Sequence, residues 1–247
     1  MRLDKYLVEE GYFESRNRAN DAIKAGQVLV DGKKAKASDT VDENTLVEVE
    51  DTKFYVSRAA RKLENFLAEH PMDFQGKKAL DIGSSTGGFA QIVLENGVST
   101  LSCVDVGKDQ LHVSLRSNEK LSLHEETDIR EFQSDDAFEL ITCDVSFISI
   151  LQIIDDIDRL SQNGTDIIIL YKPQFEVGKD VKRDSKGVVQ DLDAIARRKE
   201  EFEAKAVKLG WELHYQALSQ VQGKEGNQEY LYHFIKMEKY TCRSEIR

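Results

Sequence analysis

The sequence is poor in the residues that mark several whole classes of protein. Two prolines in 247 residues exclude collagen-like and proline-rich chains. The three cysteines, Cys103, Cys143 and Cys242, are far apart and odd in number, so no disulfide framework or Cys-x-x-Cys metal knuckle is expected. No run approaches about 18 uncharged apolar residues, and the charged N-terminus does not resemble a secretory signal. These absences predict a reduced, cytoplasmic protein without a transmembrane helix.

Negative charge dominates the chain, but positive charge is concentrated in places. There are 45 acids and 34 bases, for a net charge of −11, and the 40% of hydrophobic residues suffices for a core. That hydrophobic content excludes wholesale disorder. Residues 1–36 carry eight bases against six acids, and residues 53–62 carry four bases and no acid. Such basic faces on an acidic body can bind a polyanion, although charge alone also fits ordinary solvated surfaces.

Residues 1–52 are expected to form a small α+β domain of their own. Apolar spacing predicts a short first helix, and Ser15 and Gly26 bracket a second helix as its N-cap and C-terminal stop. Asp31-Gly32 is a hairpin signal between two short strands, and a third strand follows near Val49. So small a unit buries little core, but it is large enough for a docking module.

The chain then alternates between strands and helices over residues 58–240, after a polar linker at 53–57 and before a tail at 241–247. Strands are predicted at 78–82, 100–105, 121–125, 138–143, 166–171, 211–218 and 229–236. Helices are predicted between most of them, notably at 87–96, 147–161 and 191–209. This alternation predicts an α/β fold with a seven-stranded, mostly parallel sheet covered on both faces. The last two strands predict a hairpin with an antiparallel strand at the edge of the sheet.

A glycine-rich turn connects the first predicted strand of this domain to the helix that follows. It runs Asp81-Ile82-Gly83-Ser84-Ser85-Thr86-Gly87-Gly88-Phe89. Glycines there allow positive φ and close approach of a ligand to the backbone, at a helix N-terminus that attracts negative charge. Ser85 stands where a dinucleotide fingerprint has its second glycine, and the Walker-type Gly-Lys pair is missing. The acid ahead of the turn, Asp81, suits an amino-bearing ligand better than a pyrophosphate.

Further acids are predicted at the ends of the next three strands. Asp105 lies 22 residues after Gly83, where an acid can accept both hydroxyls of a ribose, and Asp128 and Asp144 follow. Each acid alone also fits a loop cap. Four such strand ends with a glycine turn are typical of the S-adenosylmethionine pocket of a Rossmann-like class I methyltransferase. The candidate cofactor-binding residues are Asp81, Gly83, Ser84, Ser85, Thr86, Gly87, Gly88, Phe89, Asp105, Val106, Asp128, Ile129 and Asp144.

Four more segments stand in a fixed order: 57–63 (SRAARKL), 143–149 (CDVSFIS), 171–176 (YKPQFE) and 226–230 (GNQEY). With the glycine turn they closely resemble the TlyA (haemolysin A) family of ribosomal RNA methyltransferases, whose catalytic domain is FtsJ-like. Near the N-terminus, Arg2-Leu3-Asp4-Lys5, Ser15-Arg16 and the run 26–32 resemble the S-four-type RNA-binding domain of that family. The resemblance covers nearly the whole chain, and the order and spacing of the motifs make it specific.

The resemblance implies a Lys–Asp–Lys–Glu tetrad for ribose 2′-O-methylation, on Lys62, Asp144, Lys172 and Glu229. A ribose hydroxyl is a weak nucleophile, whereas the methyl group of S-adenosylmethionine is already activated. The enzyme must therefore align the reacting atoms and help to remove one proton. Lys172 would contact the 2′-oxygen, and Asp144 and Glu229 would orient the two lysines. No metal is needed, and no metal-ligand cluster is visible in the sequence.

Two features refine what the resemblance implies. The family usually has Asn where this chain has Asp128, and either residue can accept a hydrogen bond from the adenine amino group. The chain also resembles the short members of the family, which lack terminal extensions. Short members are associated with a cytidine in large-subunit ribosomal RNA, and longer members also modify the small subunit. The expected substrate is therefore a cytidine ribose of the large subunit.

The bases of both domains are expected to fix the protein on the RNA backbone without reading its sequence. The candidate RNA-binding residues are Arg2, Lys5, Arg16, Arg18, Lys24, Lys33, Lys34, Lys36, Arg58, Arg61, Lys182 and Arg183. Each of them also fits a solvated surface base. The expected partner is ribosomal RNA or a ribosomal subunit, with no membrane partner, and a monomer is favoured.

Two functions of other classes stay open at this stage. The old family name implies a membrane-active cytolysin, which would need a strongly amphipathic or insertable segment, and the helices here are heavily charged. An RNA-binding scaffold with an inactive methyltransferase domain is the other, against which the intact glycine turn and tetrad argue. Among methyltransferases, base methylation is less favoured because an Asn-Pro-Pro-Tyr or catalytic-cysteine motif is missing.

Overall fold

The computed structural model describes residues 1–9, 12–13, 15–42, 45–50, 53, 55–223 and 225–238. The chain separates into two compact units, residues 1–54 and residues 55–247. The tail expected at 241–247 lies outside the described residues, as do parts of the expected linker and of the region around residue 240.

The first unit contains two helices and a small antiparallel sheet. Its elements are α1 (Leu3–Glu9), α2 (Arg16–Ala25), β1 (Val28–Val30), β2 (Lys33–Lys34) and β3 (Val47–Val49). Ser15 caps α2 by accepting from the amide of Arg18 at 3.3 Å, and Gly26 ends it with a φ of +78°. Asp31 and Gly32 both have positive φ, as a two-residue hairpin turn between β1 and β2 requires.

The second unit alternates strands and helices, as the sequence pattern predicts. Its strands are β4 (Lys78–Ile82), β5 (Thr100–Val104), β6 (Leu121–His124), β7 (Phe138–Cys143), β8 (Ser161–Tyr171), β9 (Trp211–Leu218) and β10 (Tyr230–Lys236). Its helices are α3 (Arg58–Glu69), α4 (Gly88–Glu95), α5 (Val113–Arg116), α6 (Ile154–Leu160), α7 (Pro173–Glu176) and α8 (Leu192–Lys208). The seven strands form one sheet in the order β6-β5-β4-β7-β8-β10-β9, which is the Rossmann-like methyltransferase arrangement.

The position of the antiparallel strand differs from the prediction. The last two strands do form a hairpin, but β10, the antiparallel strand, lies between β8 and β9 instead of at the edge. The edge strand is β9. Burial explains the order, because Leu231, Tyr232 and Phe234 of β10 are all within 1% of full burial and need neighbours on both sides.

The helix predicted over residues 147–161 is also wrong in extent. A 3₁₀ helix (Ile150–Gln152) and α6 replace it, and residues 144–149 form a loop. Phe147 in this loop has a φ of +67°, which a helix does not allow. The buried carboxylate of Glu176 holds the end of the loop, accepting from Ser149 Oγ at 2.5 Å and from the amide of Ile150 at 2.9 Å.

Each face of the large sheet has its own apolar core. Ile82, Ile141 and Ile169 point to the face covered by α6 and α8, and their neighbours in sequence, Leu140 and Ile168, point to the face covered by α3 and α4. This alternation follows the two-residue period of a strand. The two helical layers therefore fix the carboxyl ends of β4, β5, β6 and β7 side by side, where ligands of such sheets bind.

Candidate active site

The glycine turn between β4 and α4 lies tightly against the neighbouring strand ends. Gly83 has a φ of +76°, in the left-handed region that favours glycine, and its amide donates to the carbonyl of Val104 at 2.8 Å. A Cβ on Gly83 would lie 3.0 Å from the carbonyl oxygen of Asp144. The absence of a side chain therefore lets the turn touch the ends of β5 and β7 and leaves its backbone accessible.

A cavity of about 370 Å³ opens at this turn, and we call it the turn cavity. Its walls include the apolar side chains of Ile82, Val104, Ile148 and Ile153. Of the predicted cofactor-binding residues, it is lined by Gly83, Ser85, Asp105, Val106, Asp128, Ile129 and Asp144. The carboxyl ends of four parallel strands thus contribute to one cavity.

Two carboxylates on the wall of the turn cavity are held in place by backbone or side-chain donors. Asp105 accepts from the amides of Ser85 at 2.8 Å and Gly107 at 2.6 Å. Asp128 lies in the loop after β6, and the guanidinium of Arg130, 2.5 Å away, lowers its pKa to about 2. Asp128 is therefore ionised at neutral pH and acts as an acceptor only.

Asp81 lies inside β4, beneath the turn, and lines neither this cavity nor the neighbouring one. It is fully buried, and the hydroxyl of Thr142 donates to it at 2.6 Å. Burial raises the pKa of Asp81 to about 7. Within the described part of the chain the buried Oγ of Ser84, in the turn above, has no hydrogen-bond partner.

These features fit S-adenosylmethionine. The apolar walls suit an adenine ring, the Asp105 carboxylate suits ribose hydroxyls, and the accessible turn with its unpartnered Ser84 hydroxyl suits the polar amino-acid end. The Asp128 carboxylate can accept from an adenine amino group as the family's usual Asn does. The residues present are therefore of the right chemical types for this cofactor.

A second cavity of about 620 Å³ adjoins the turn cavity, and we call it the lysine cleft. The two share Gly83, Ser85, Asp144, Ser146 and Phe147. Four predicted cofactor residues, Ser84, Thr86, Gly88 and Phe89, line the lysine cleft and not the turn cavity, and Gly87 lines neither. The turn therefore forms a wall common to both spaces.

The four predicted tetrad residues line the lysine cleft as two ion pairs. Lys62 Nζ, on α3, lies 2.5 Å from Glu229 Oε2, just before β10. Lys172 Nζ, just after β8, lies 2.6 Å from Asp144 Oδ1, just after β7. Both lysine side chains are only 10% exposed. The fold therefore brings together residues up to 167 positions apart in the lysine cleft, and Asp144 lines the turn cavity as well.

Each charge in the tetrad is stabilised by its partner, because the four side chains are largely buried. An isolated buried charge costs several kcal/mol, whereas a buried pair largely offsets its desolvation. Burial raises the pKa of Asp144, and the neighbouring Lys172 and Lys62 cations counter that shift. Removing one partner would leave an uncompensated charge, so each lysine and its paired acid depend on one another.

Two residues that the sequence interpretation did not single out also contact the tetrad. Ser146 Oγ accepts from Lys172 Nζ at 2.9 Å, so this lysine lies between Asp144 and Ser146. The side-chain amide (Nε2) of Gln174 donates to Glu229 Oε1 at 2.8 Å. Each follows a tetrad residue by two positions, and that spacing within the motifs 143–149 and 171–176 is the signal that could have found them.

Apart from Arg18, the basic residues predicted to bind RNA in the first unit are exposed, but several have acidic partners. Arg2 and Arg16 both bind Asp4, which is 1% exposed, at 3.0 and 2.6 Å, and they lower its pKa to about 2. Lys5 and Lys24 pair with Glu9 and Asp21 along their own helices at 3.2 and 4.0 Å. Lys33, Lys34 and Lys36 are exposed after the hairpin turn, and Arg18 is half-buried on α2.

The predicted RNA-binding residues of the second unit differ in their exposure and in their contacts with the rest of the protein. Arg58 and Arg61 are exposed on α3, where the guanidinium of Arg61 lies 5.2 Å from the Tyr55 ring. Lys182 is exposed as well. Arg183 is half-buried and donates to the carbonyls of Gln174 at 2.9 Å and Gly178 at 3.0 Å. Arg183 therefore braces the loop beside the lysine cleft.

No cluster of three or more His, Cys, Asp or Glu side chains among the described residues has the geometry to hold a metal ion. Cys103 and Cys143, the cysteines within the described ranges, are free thiols buried in the core.

Comparisons with known proteins agree with this geometry. The FtsJ-like methyltransferase family model matches residues 55–236, and the S4 domain model matches residues 1–47. The Campylobacter jejuni protein named 23S rRNA (cytidine-2'-O)-methyltransferase TlyA is 47% identical over 96% of this chain and 100% of its own length. Hemolysin A of Brachyspira hyodysenteriae is 37% identical over 95% of this chain and 100% of its own length. A solved structure from Streptococcus thermophilus, 31% identical, aligns with a TM-score of 0.71 over 96% of this chain and 89% of that one.

The matched regions include the glycine turn, the turn cavity and all four tetrad residues, and the identity extends over nearly the whole chain. The chain therefore belongs to the TlyA family of FtsJ-like methyltransferases, carries an S4 domain at its N-terminus, and uses S-adenosylmethionine as its cofactor.

Proposed function

We propose that this enzyme methylates the ribose 2′-oxygen of a cytidine in large-subunit ribosomal RNA. The observation that carries the proposal is the pair of buried lysine–carboxylate contacts in the lysine cleft, one of which includes Asp144 at the boundary with the turn cavity. A ribose hydroxyl needs two things there, alignment with the methyl donor and an acceptor for one proton, and lysine side chains held by acids can provide both.

S-adenosylmethionine supplies an activated methyl group when it is bound in the turn cavity. The chain's own residues then have separate tasks. Lys172, between Asp144 and Ser146, binds the 2′-oxygen. It takes the hydroxyl proton after its own ammonium group has passed one proton to the paired Asp144 carboxylate, whose pKa burial raises. Lys62, held by Glu229, provides a cation that binds the oxygen as its negative charge develops. Gln174 fixes Glu229, and through it Lys62.

The substrate assignment is supported by the relatives and by the small domain. The C. jejuni relative is named for cytidine and for 23S ribosomal RNA alone, and its whole length is covered by the match. An S4 domain with Lys33, Lys34 and Lys36 exposed supplies RNA-backbone contacts. Because all four tetrad residues come from one chain, we propose that a monomer acts on the ribosomal particle or its RNA in the cytoplasm.

The test is methyl transfer from radiolabelled S-adenosylmethionine to large and small ribosomal subunits and to their naked RNAs. Lys172→Ala should lower the rate at least about 100-fold, the usual share of a general base. Lys208→Ala, an exposed residue on α8, should leave the rate unchanged. Binding of S-adenosylhomocysteine, measured by calorimetry for each variant, separates loss of catalysis from loss of folding.

The position and chemistry of the label test the reaction type and the choice of ribosomal subunit separately. Label in the large-subunit RNA at one alkali-resistant linkage, lost with Lys172→Ala, supports a 2′-O-methyltransferase. Label in both subunits contradicts the large-subunit assignment but keeps the chemistry. Label that is alkali-sensitive at the backbone points to base methylation. No label on any RNA, with the cofactor product still bound, favours the RNA-binding scaffold.

The name of the B. hyodysenteriae relative keeps a membrane-active function as a second candidate. None of the helices in the described ranges has the length and apolar character needed to cross a bilayer. Leakage of dye from anionic lipid vesicles tests this candidate directly. We expect no leakage at protein concentrations that give full methyl transfer, and leakage that survives Lys172→Ala would support a separate lytic activity.

A further inference from the structure

A wide groove lies beside the lysine cleft, and nothing in the proposed reaction uses it. The loop between β9 and β10 forms one wall, and Arg58 of α3 and Lys186 of the loop after α7 complete it. We call this space, of about 930 Å³, the hairpin groove. It shares no residue with the turn cavity.

The hairpin groove is continuous with the lysine cleft. Arg58 and Glu225 line both spaces. The two are also joined through Gly223, where a Cβ would lie 2.6 Å from Glu229 Oε1. A ribose beside Lys172 therefore has the turn cavity on one boundary of the cleft and the hairpin groove on another.

This wall of the groove is held in a defined shape. The buried side chain of Asn227 accepts from the amide of Val189 at 3.0 Å, and its backbone carbonyl accepts from Gly223 at 2.9 Å. The first contact ties the β9–β10 loop to the loop that carries Lys186. Hydrogen bonds therefore hold the described residues Val189, Gly223 and Asn227 of the two loops together, so the groove is not a gap between two independent loops.

The chemistry of the groove matches a nucleic-acid strand. Arg58 and Lys186 are exposed cations. Gln222 is exposed and can both donate to and accept from a base edge. The Glu225 carboxylate repels phosphate but accepts from ribose hydroxyls or base amino groups. Cations spaced along a polar groove with amide groups between them are typical of RNA-backbone contact.

A target ribose inside an RNA chain is bonded to neighbours on both its 3′ and 5′ sides, so the strand has to leave the cleft. One boundary of the cleft is taken by the cofactor. We propose that the hairpin groove holds the RNA strand next to the target nucleotide, with phosphates on Arg58 and Lys186 and a base edge on Gln222. This inference rests on the proposed function, because it takes a ribose in the lysine cleft as its starting point.

The test is site-directed photo-crosslinking of the full-length protein to large ribosomal subunits. Gln222→Cys carries a benzophenone on its thiol, in a Cys242→Ser background where the other two cysteines are buried. Val207→Cys, a 69% exposed position on α8, is the matched control. We expect crosslinks from residue 222 within a few nucleotides of the methylated cytidine, and none to that region from residue 207.

A kinetic measurement provides the second readout. Lys186→Glu should raise KM for the RNA substrate about tenfold, since it replaces a phosphate contact with a repulsion. Its kcat at saturating RNA and its affinity for S-adenosylhomocysteine should stay unchanged. Lys208→Glu, the same exchange on α8, should alter none of these values.

The two proposals fail separately. If methyl transfer occurs but residue 222 gives no RNA crosslink and Lys186→Glu leaves KM unchanged, the groove assignment is wrong and the reaction stands. If residue 222 crosslinks RNA while no methyl group is transferred, RNA binding by the groove stands, but the reaction and the placement of the strand next to a target nucleotide do not. Crosslinks from residue 222 to a ribosomal protein in place of RNA would overturn the groove assignment.

Discussion

At the scale of single residues, the lysines of the cleft depend on neutral neighbours as well as on acids. Lys172 Nζ contacts both Asp144 at 2.6 Å and Ser146 Oγ at 2.9 Å, and Ser146 lies on the boundary with the turn cavity. A serine hydroxyl can accept from a charged lysine or donate to a neutral one. Ser146 can therefore hold the lysine in one position through both protonation states.

We expect Ser146→Ala to lower kcat about tenfold, because Lys172 then has one fixed contact in place of two and loses alignment with the 2′-oxygen. Ser146→Thr keeps the hydroxyl and should recover most of the rate. Steady-state methyl transfer measures both, with KM for RNA and cofactor-product affinity as internal controls. Equal losses for the two variants would assign the effect to packing and refute a positioning role for the hydroxyl.

The buried Asp81 should make the free energy of unfolding depend on pH. Its pKa is about 7 in the folded protein and near 4 when the chain is unfolded, so the folded state binds the extra proton between these values. The free energy of unfolding should therefore fall as pH rises from about 4 to about 7 and level off above that range. Asp81→Asn cannot titrate but can still accept from Thr142.

Urea unfolding of both proteins at about pH 5 and about pH 8 measures this difference. Relative to Asp81→Asn, the wild type should lose on the order of 2–3 kcal/mol of unfolding free energy between the two conditions. The subtraction removes the contributions of all other titrating groups. Parallel pH dependences in the two proteins would mean that Asp81 does not keep its proton in the folded state.

At the scale of elements, the glycine turn lies directly against the backbone of Asp144, a tetrad residue. We expect Gly83→Ala and Gly164→Ala to share a backbone cost of about 1–2 kcal/mol, since both glycines have φ near +80°. Gly164 faces open space, whereas a Cβ on Gly83 presses on the backbone of Asp144. Gly83→Ala should therefore lose about 1–3 kcal/mol more, as overpacked sites do.

Chemical unfolding of the two glycine variants gives the stability difference, and calorimetry gives their affinity for S-adenosylhomocysteine. Only Gly83→Ala should weaken that affinity, because only Gly83 lines the turn cavity. Equal stabilities, or equal affinities, would show that the turn has room to move away from β7.

The positions of individual strands were predicted from the sequence, but the order of the last strands in the sheet was not. Strands such as β4 and β7, and the turn at Gly83, are local patterns of burial and backbone freedom, and they lie where the sequence predicts them. The place of β10 depends on which strand pairs with β8, a choice made by tertiary packing. The sequence does contain a signal for the interior position of β10. Residues 230–236 are nearly continuously apolar, as in an interior strand, whereas residues 211–218 alternate between apolar and polar, as in an edge strand.

The ion pairs of the cleft could not be derived in the same way. The sequence indicates two lysines and two acids, but not that Lys62 pairs with Glu229 and Lys172 with Asp144. That pairing depends on the packing of α3 against α4 and on the strand order β7-β8-β10, both of which are long-range features. Similarly, hydrogen bonds such as that of Gln174 follow only once the backbone is placed.

At the scale of the whole molecule, an acidic protein has to bind a polyanion. Residues 77–160, which carry much of the turn cavity, hold sixteen acids and seven bases. This region repels RNA, whereas the bases at 1–36 and 53–62 attract it. If these bases contact RNA as proposed, binding should be sensitive to salt.

The exposed lysines after the β1–β2 turn allow a quantitative test of this arrangement. If Lys33, Lys34 and Lys36 contact phosphates, replacing all three with Gln should make the slope of log K against log salt concentration shallower by about 2. Affinity for RNA should fall at low salt and converge with the wild type at high salt, while S-adenosylhomocysteine affinity stays the same. Lys208→Gln, on α8, is the control and should leave the slope within error of the wild type. A triple variant with an unchanged slope would show that these lysines are solvated surface charges and would leave the backbone contacts of the first unit to its other candidate bases, Arg2, Lys5, Arg16, Arg18 and Lys24.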